Sequence, residues 1–363
     1  MIWEEPARGG YPDPRWFGLS GLEQMRAFLR NGGPRPPLSH LTGILPTEVG
    51  HGTSTFTMPV TGWLLPPPGL LGLGELAMLA DAPLGTAIQT SLPPLTGYTT
   101  AELSMSHLRP VWPACGPLAA RARLLQAGRS LGLSAVEILD GEGRLVAFGT
   151  SRCVIIPPMG PPPAEPPPLE PVAVPDYASP DPFERPVVGA VVPQETWDRL
   201  SGLEVVQAYL KGELPPCPLT ELTGLRATEA EEGATTFVMP ATEWLCSPLG
   251  TIQGGTVAML ADTAQVVAVQ TTCPPRTAYA PLDLKVNFLR PARPDGRDLT
   301  AHGRVVQRGR SIAVAHAEVT DVDGKRVALA VGTTMILPGR AWSLERPFVP
   351  LDESGDPPAG EPG

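Results

Sequence analysis

The sequence predicts an α+β fold made twice within one chain. Two observations carry this: an internal repeat of domain length and, in each copy, one long apolar helical stretch followed by a run of alternating segments. Residues 16–157 and 197–338 align without gaps at a constant shift of 181, with about 58 identities in roughly 142 pairs, far beyond chance. Trp16 answers Trp197, Trp63 answers Trp244, Met78-Leu79-Ala80-Asp81 answers Met259-Leu260-Ala261-Asp262, and Gly128-Arg129-Ser130 answers Gly309-Arg310-Ser311. The domains expected are 16–157 and 187–340. Between them lies a linker, 158–186, and after them a tail, 341–363. The linker holds Pro157-Pro158, Pro161-Pro162-Pro163 and Pro166-Pro167-Pro168 along its first half, a polyproline-type spacer with little helical or strand potential. The tail is acidic and rich in Pro and Gly, which favours disorder.

Each repeat opens with an amphipathic helix. Trp197, Leu200, Leu203, Val206 and Leu210 recur at helical spacing, as do Trp16, Leu22, Met25 and Leu29. A short strand is expected around Thr236-Phe237-Val238-Met239. A long apolar helix then opens at Gly254-Gly255 and runs through Asp262 to about Thr272; its twin runs from Gly74 through Asp81. Three or four strands close the repeat. Leu282, Leu284, Val286 and Phe288 alternate with other residues, 299–308 and 312–319 follow, and Asp321-Val322-Asp323-Gly324 turns the chain into 326–337. One apolar helix followed by antiparallel strands predicts a curved sheet wrapped around that helix. A lone sheet of this kind leaves an edge and a face to cover, so the two repeats should pack as an intrachain pseudo-dimer, with further pairing of chains into a homo-oligomer.

A net charge of −10 argues against nucleic acid as a bulk partner, and no helix-turn-helix pattern or basic arm is present. A polyanionic small ligand would need a local cluster of arginines. Cys115, Cys153, Cys217, Cys246 and Cys273 show no CxxC spacing and do not pair across the repeats, which fits a reduced, cytoplasmic chain without a zinc site. His107, His302 and His316 lack ligand spacing, so no metal is expected. The first residues lack a signal-peptide pattern, and no apolar run approaches the length of a membrane span.

The order of elements resembles the hotdog fold, and the central stretch is similar to the phenylacetate-pathway type of acyl-CoA thioesterase. That family carries Asn-Pro-x-Gly-x-x-His-Gly-Gly entering the central helix, an Asp eight residues after the first Gly of the pair, and a later Phe-Leu-Arg-Pro. Here the second repeat reads Ser247-Pro248-Leu249-Gly250-Thr251-Ile252-Gln253-Gly254-Gly255, then Asp262, then Phe288-Leu289-Arg290-Pro291. Ser247 stands for the family's Asn and Gln253 for its His; both can still hydrogen-bond.

The resemblance implies tandem hotdog domains that hydrolyse acyl-CoA thioesters, with CoA as part of the substrate and no further cofactor. Its active sites lie at seams between units, where helix-start N–H groups, an Asp and a Ser/Thr ten residues before the Pro of the later motif converge. Unpaired N–H groups at the positive end of a helix suit an oxyanion, and glycine permits close approach of a carbonyl. A carboxylate on an apolar helix is costly unless used. One site is expected from Ser247, Gln253, Gly254, Gly255 and Asp262 with Thr100 of the first repeat. In it Asp262 acts as base or nucleophile, Gly254 as oxyanion donor, and Thr100 positions water. The other would use Pro66, Gly72, Leu73, Gly74, Asp81 and Pro281, where the replacements predict a decayed site. On this reading Asp262→Asn abolishes activity and Asp81→Asn spares it. Arg290, Arg308, Arg310, Arg109 and Arg129 are candidates for the CoA phosphates, and Ala258, Val266 and Val269 for an apolar acyl pocket. A non-catalytic acyl-CoA-binding module is the competing reading, supported by Gln253. A hotdog hydratase is set aside, because Thr86 and Val267 stand where its His would follow Asp81 or Asp262.

Overall fold

The computed structural model describes residues 1–31, 33–158, 160 and 175–340. The expected polyproline run and the tail lie largely or wholly outside the described residues.

The first repeat contains α1 (Gly21–Asn31), α2 (Pro37–Thr42), β1 (Leu45–Gly50), β2 (Thr53–Met58), α3 (Leu73–Gln89), β3 (Gly97–His107), β4 (Leu118–Ala127), β5 (Leu131–Leu139) and β6 (Leu145–Ile156). The second contains α4 (Gln194–Arg199), α5 (Gly202–Leu210), α6 (Pro218–Thr223), β7 (Arg226–Glu231), β8 (Ala234–Pro240), α7 (Gly254–Gln270), β9 (Thr277–Phe288), β10 (Asp298–Arg308), β11 (Ile312–Thr320) and β12 (Arg326–Pro338). The single amphipathic helix expected at Trp197 is broken in two. Ser201 caps a fresh start, accepting the Glu204 N–H while the Glu204 carboxylate takes the Ser201 N–H at 2.7 Å.

All twelve strands join one sheet in the order β1-β2-β4-β5-β6-β3-β9-β12-β11-β10-β8-β7. Each half repeats the same internal order, and the halves meet where β3 pairs antiparallel with β9: Leu103 opposite Val286, Met105 opposite Leu284. A pseudo-two-fold axis therefore runs through that junction. The sheet curls around α3 and α7, whose residues are apolar on nearly every side because each helix is enclosed by its own half-sheet and by the other helix.

The helices touch in their N-terminal halves, and two glycines permit it. A Cβ on Gly74 would lie 2.8 Å from the Met259 Cα, and one on Gly255 would lie 2.4 Å from the Ala77 carbonyl. A larger residue at either place would force the helices apart.

The repeat extends further than the sequence alignment does. Residues 2–4 and 182–184 each form a short 3-10 turn, and each turn docks on the opposite repeat. Trp244 Nε1 donates to the Glu5 carbonyl, and Trp63 Nε1 to the Arg185 carbonyl, both at 2.9 Å. Residues 182–186, read from the sequence as spacer, thus belong to a docking arm with Pro182 buried. The two repeats are held together by exchanged arms as well as by the sheet and the helix pair.

Candidate active site

The seam holds two pockets of chemistry related by the pseudo-two-fold, and the helix crossing determines their membership. Asp81 sits two turns into α3 and faces the start of α7. Its Oδ2 accepts the Gly255 N–H at 3.1 Å, with the Gly254 N–H also turned toward it. Thr100 Oγ1 donates to Asp81 Oδ1 at 3.1 Å. Asp262 occupies the mirror position: its Oδ2 accepts the Gly74 N–H at 2.8 Å at the start of α3.

The grouping expected from the sequence is therefore crossed. Asp262 does not share a site with Gly254, Gly255 and Thr100. Eight residues at 1.5 Å per residue put Asp262 about 12 Å along α7 from Gly254, and its carboxylate is taken by the other helix. Thr100 bonds to Asp81 of its own repeat. Ser247 lies in the loop before α7: its hydroxyl accepts the Leu249 N–H and its backbone closes the loop through Thr251 and Gly250.

What converges is Asp81 and Thr100 from the first repeat with Gln253, Gly254 and Gly255 from the second. We call this seam A. Thr100 points inward because β3 carries a bulge at Ala101. The extra residue flips the alternation, so Thr100 and Tyr98 share the inner face with Leu103 and Met105. The same bulge in β9 falls at Leu282, which ends the single-faced alternation read from the sequence and turns Pro281 inward. Gln253 is 6% exposed; its Nε2 donates to the Met78 carbonyl at 3.0 Å, while its Oε1 has no protein partner. Gly254 is the first residue of α7, and its N–H makes no helical bond. Burial pushes the Asp81 carboxyl above its ordinary range, partly offset by the hydrogen bonds from Gly255, Thr100 and Gly254. Cys153, opposite Thr100 on β6, is fully buried and pushed up to about 12 by burial and by Asp81.

Seam B combines Asp262 and Gln265 with Gly72, Leu73, Gly74 and Glu75. Leu73 stands where Gly254 stands in seam A, and Pro281 where Thr100 stands. Glu75, absent from the expected constellation, is the decisive difference. Its Oε2 accepts the Gly72 N–H at 2.7 Å, a capping bond to the residue before Leu73. It brings a second buried carboxyl next to Asp262, which seam A does not have, since Thr256 stands at the matching position of α7. Burial and then the Asp262 charge raise Glu75 to about 7, and Asp262, held by Gln265 and Gly74, is raised to about 6, chiefly by burial. Two buried carboxylates this close titrate as a pair that keeps a proton toward neutral pH. A carboxylate within an apolar helix start was the available signal for Glu75; nothing in the sequence distinguishes Gln265.

The five arginines are all exposed and do not form one cluster. Arg290 lies at the mouth of seam A, on the loop where the Ala292 carbonyl accepts the Ile252 N–H. That loop borders a surface cavity of about 380 Å³ whose walls mix Arg290, Arg293, Arg297 and Lys325 with Asp295, Asp298, Asp321 and Asp323. Arg109 is its twin by seam B and donates to the Leu145 carbonyl. Arg308 bonds to Thr272 beyond the far end of α7, and Arg310 follows in the same hairpin. Seventeen helical residues, about 25 Å, separate that end from Gly254. Arg129 is in the equivalent hairpin of the first repeat. Among the described residues no three His, Cys, Asp or Glu side chains group as a metal site, no helix is long and apolar enough to cross a membrane, and all five cysteines are free.

A helix enclosed by a curved antiparallel sheet, doubled about a pseudo-two-fold with helix starts and carboxylates meeting at the seam, defines a tandem hotdog protein of the thioester-hydrolase class. Residues 249–328 match the Thioesterase superfamily, and residues 15–155 match the Acyl-CoA thioesterase C-terminal domain. A Halobacterium salinarum protein described as an esterase is 32% identical over 126 residues, 32% of this chain and 82% of the relative. The chain belongs to the thioesterase superfamily. Its architecture is similar to that of an acyl-CoA thioesterase II from Mycobacterium marinum, with a TM-score of 0.51 at 14% identity over 83% of this chain and 98% of that one. A thioesterase from Novosphingobium aromaticivorans gives a TM-score of 0.50 at 18% identity over 81% and 98%. At these identities the solved structures speak to the fold.

Proposed function

We propose that the chain hydrolyses acyl-CoA thioesters to free acid and CoA at seam A, one working site per chain. The observation that carries this is the convergence of Asp81, Thr100 and the start of α7, set against a seam B where Leu73 and Pro281 replace Gly254 and Thr100 and Glu75 adds a second buried carboxyl. The thioester carbonyl lies against the Gly254 N–H, which turns from Asp81 to the substrate oxygen and, with the helix dipole, stabilises the developing oxyanion. Asp81, held by Gly255 and Thr100, acts as general base on water or attacks the carbonyl itself. Gln253 offers a side-chain amide beside the same oxygen. Arg290 and Arg293 at the mouth are placed to meet the CoA phosphates.

The domain limits 16–157 and 187–340 are kept in this reading, with the arms at 1–13 and 182–186 added to them. We also place the protein in the cytoplasm, on its five free cysteines, with no cofactor besides the CoA of the substrate. Self-association of the chain is supported by apolar residues exposed at equivalent positions of both repeats: Leu125 and Val306, Leu131 and Ile312, Phe148 and Leu329. The test of the activity is release of free thiol from acyl-CoA by the purified chain. Saturable release supports the reading; tight acyl-CoA binding with no release over the uncatalysed rate would replace it with a binding module.

A further inference from the structure

Two residues beyond the catalytic group give seam A a closed end. Tyr98 lies two residues before Thr100 on β3, on the same inner face. Gly85 lies one turn after Asp81 on α3, also on the same face. The Tyr98 ring rests on Gly85 so closely that a Cβ there would lie 2.8 Å from the ring edge and 3.0 Å from the hydroxyl. Around the ring stand Cys153, fully buried, and Ile155, which is 7% exposed and pairs with Tyr98 across the sheet. The opposite end runs past Phe288, against Gly254, toward the exposed Arg290. A polar, phosphate-bearing CoA arm belongs at the end where Arg290 is exposed. The acyl chain belongs at the apolar, closed one.

The second repeat shows that this seating is a choice. Where the first repeat has Gly85, the second has Val266, and its Tyr279 instead reaches along the helix to bond Gln270 Oε1. Glycine within a helix is destabilising relative to alanine. At position 85 that cost opens the notch that the Tyr98 ring fills.

We propose that Tyr98, seated on Gly85, ends the acyl pocket of seam A and restricts the substrate to short acyl chains. This rests on the reading that the thioester is cut at Asp81. Residues four apart on a helix face are separated by about 6 Å. With carbon–carbon bonds of about 1.5 Å, an acyl chain of roughly four to six carbons fills that distance.

The test is kcat/KM for a series of straight-chain acyl-CoAs from acetyl to palmitoyl, measured on the wild-type chain, Tyr98→Ala and Tyr279→Phe. Wild type should fall by about 20-fold or more between hexanoyl and dodecanoyl substrates, as the longer chain meets the ring. Tyr98→Ala should raise the dodecanoyl value at least about tenfold while keeping the butyryl value within about threefold. Tyr279→Phe, in seam B, should leave the profile unchanged. Tyr98→Leu, which keeps an apolar filler, serves if the alanine variant does not fold and should show a smaller shift in the same direction. An unchanged profile in folded Tyr98 variants overturns the proposal, as does a uniform rise in KM across all chain lengths, which would place the ring on the CoA arm. A wild-type chain that releases no thiol from any substrate would instead remove the hydrolytic reading beneath it.

Discussion

Replacing Glu75 by Gln should stabilise the protein above neutral pH and hardly at all below pH 5. The change keeps side-chain shape and an oxygen that can accept the Gly72 N–H, but removes one of the two buried carboxyls of seam B. In the folded chain Glu75 is raised from 4.5 to about 7, by burial first and by the Asp262 charge second. Because the folded value lies above the unfolded one, the folded state holds the proton more tightly. The stabilising contribution is complete below about pH 4.5 and is lost as pH rises through about 7. A difference of about 2.5 units at 1.36 kcal/mol per unit gives about 3 kcal/mol lost by pH 8. Asp262, raised to about 6, loses stability in the same direction within an overlapping window. Urea denaturation at pH 5, 6, 7 and 8 should show wild type weakening across this range and Glu75→Gln weakening less, with a gap of about 2–3 kcal/mol at pH 8. Equal stability of the two proteins at pH 8, or a gap as large at pH 5, would refute the buried pair.

Two further outcomes follow from the seam. Thr100→Val removes a hydroxyl whose hydrogen bond holds the Asp81 carboxyl down. The Asp81 value should rise, the acid limb of the kcat/KM profile should move to higher pH, and activity at the optimum should fall about tenfold; a limb that stays put would separate Thr100 from Asp81. Gly255→Ala places a methyl 2.4 Å from the Ala77 carbonyl, and Gly74→Ala one 2.8 Å from the Met259 Cα. Each should cost about 3 kcal/mol in denaturant titrations, and loss below about 1 kcal/mol would mean the helices do not cross as described.

The fold was largely legible from the chain. Apolar periodicity around Met78 and Met259, strand alternation and the repeat itself placed both central helices and most strands. The short edge strands β1 and β7 were missed because their pattern is too brief and polar to stand out, as in Thr47-Glu48 and Thr228-Glu229. The arms escaped because Ile2 and Pro182 bury themselves against the opposite repeat, a contact no local pattern encodes. The site residues were mostly legible as types: Gln253, Gly254, Gly255 and Thr100 do gather, with Asp81 in the place given to Asp262. Their partnership was not. Sequence spacing shows that an Asp follows a Gly by eight positions, but that same spacing carries the carboxylate away from its own helix start. Only the crossing of α3 and α7 decides which start it meets.

Catalysis assigned to seam A is tested most directly by the pair Asp81→Asn and Asp262→Asn, each assayed for thiol release from a short-chain acyl-CoA at matched folded concentration. The expected result is a loss of about 10²–10⁴-fold in kcat/KM for Asp81→Asn, the contribution of a positioned base or nucleophile, with Asp262→Asn within about threefold of wild type. The reverse order, or equal losses from the two changes, would contradict it.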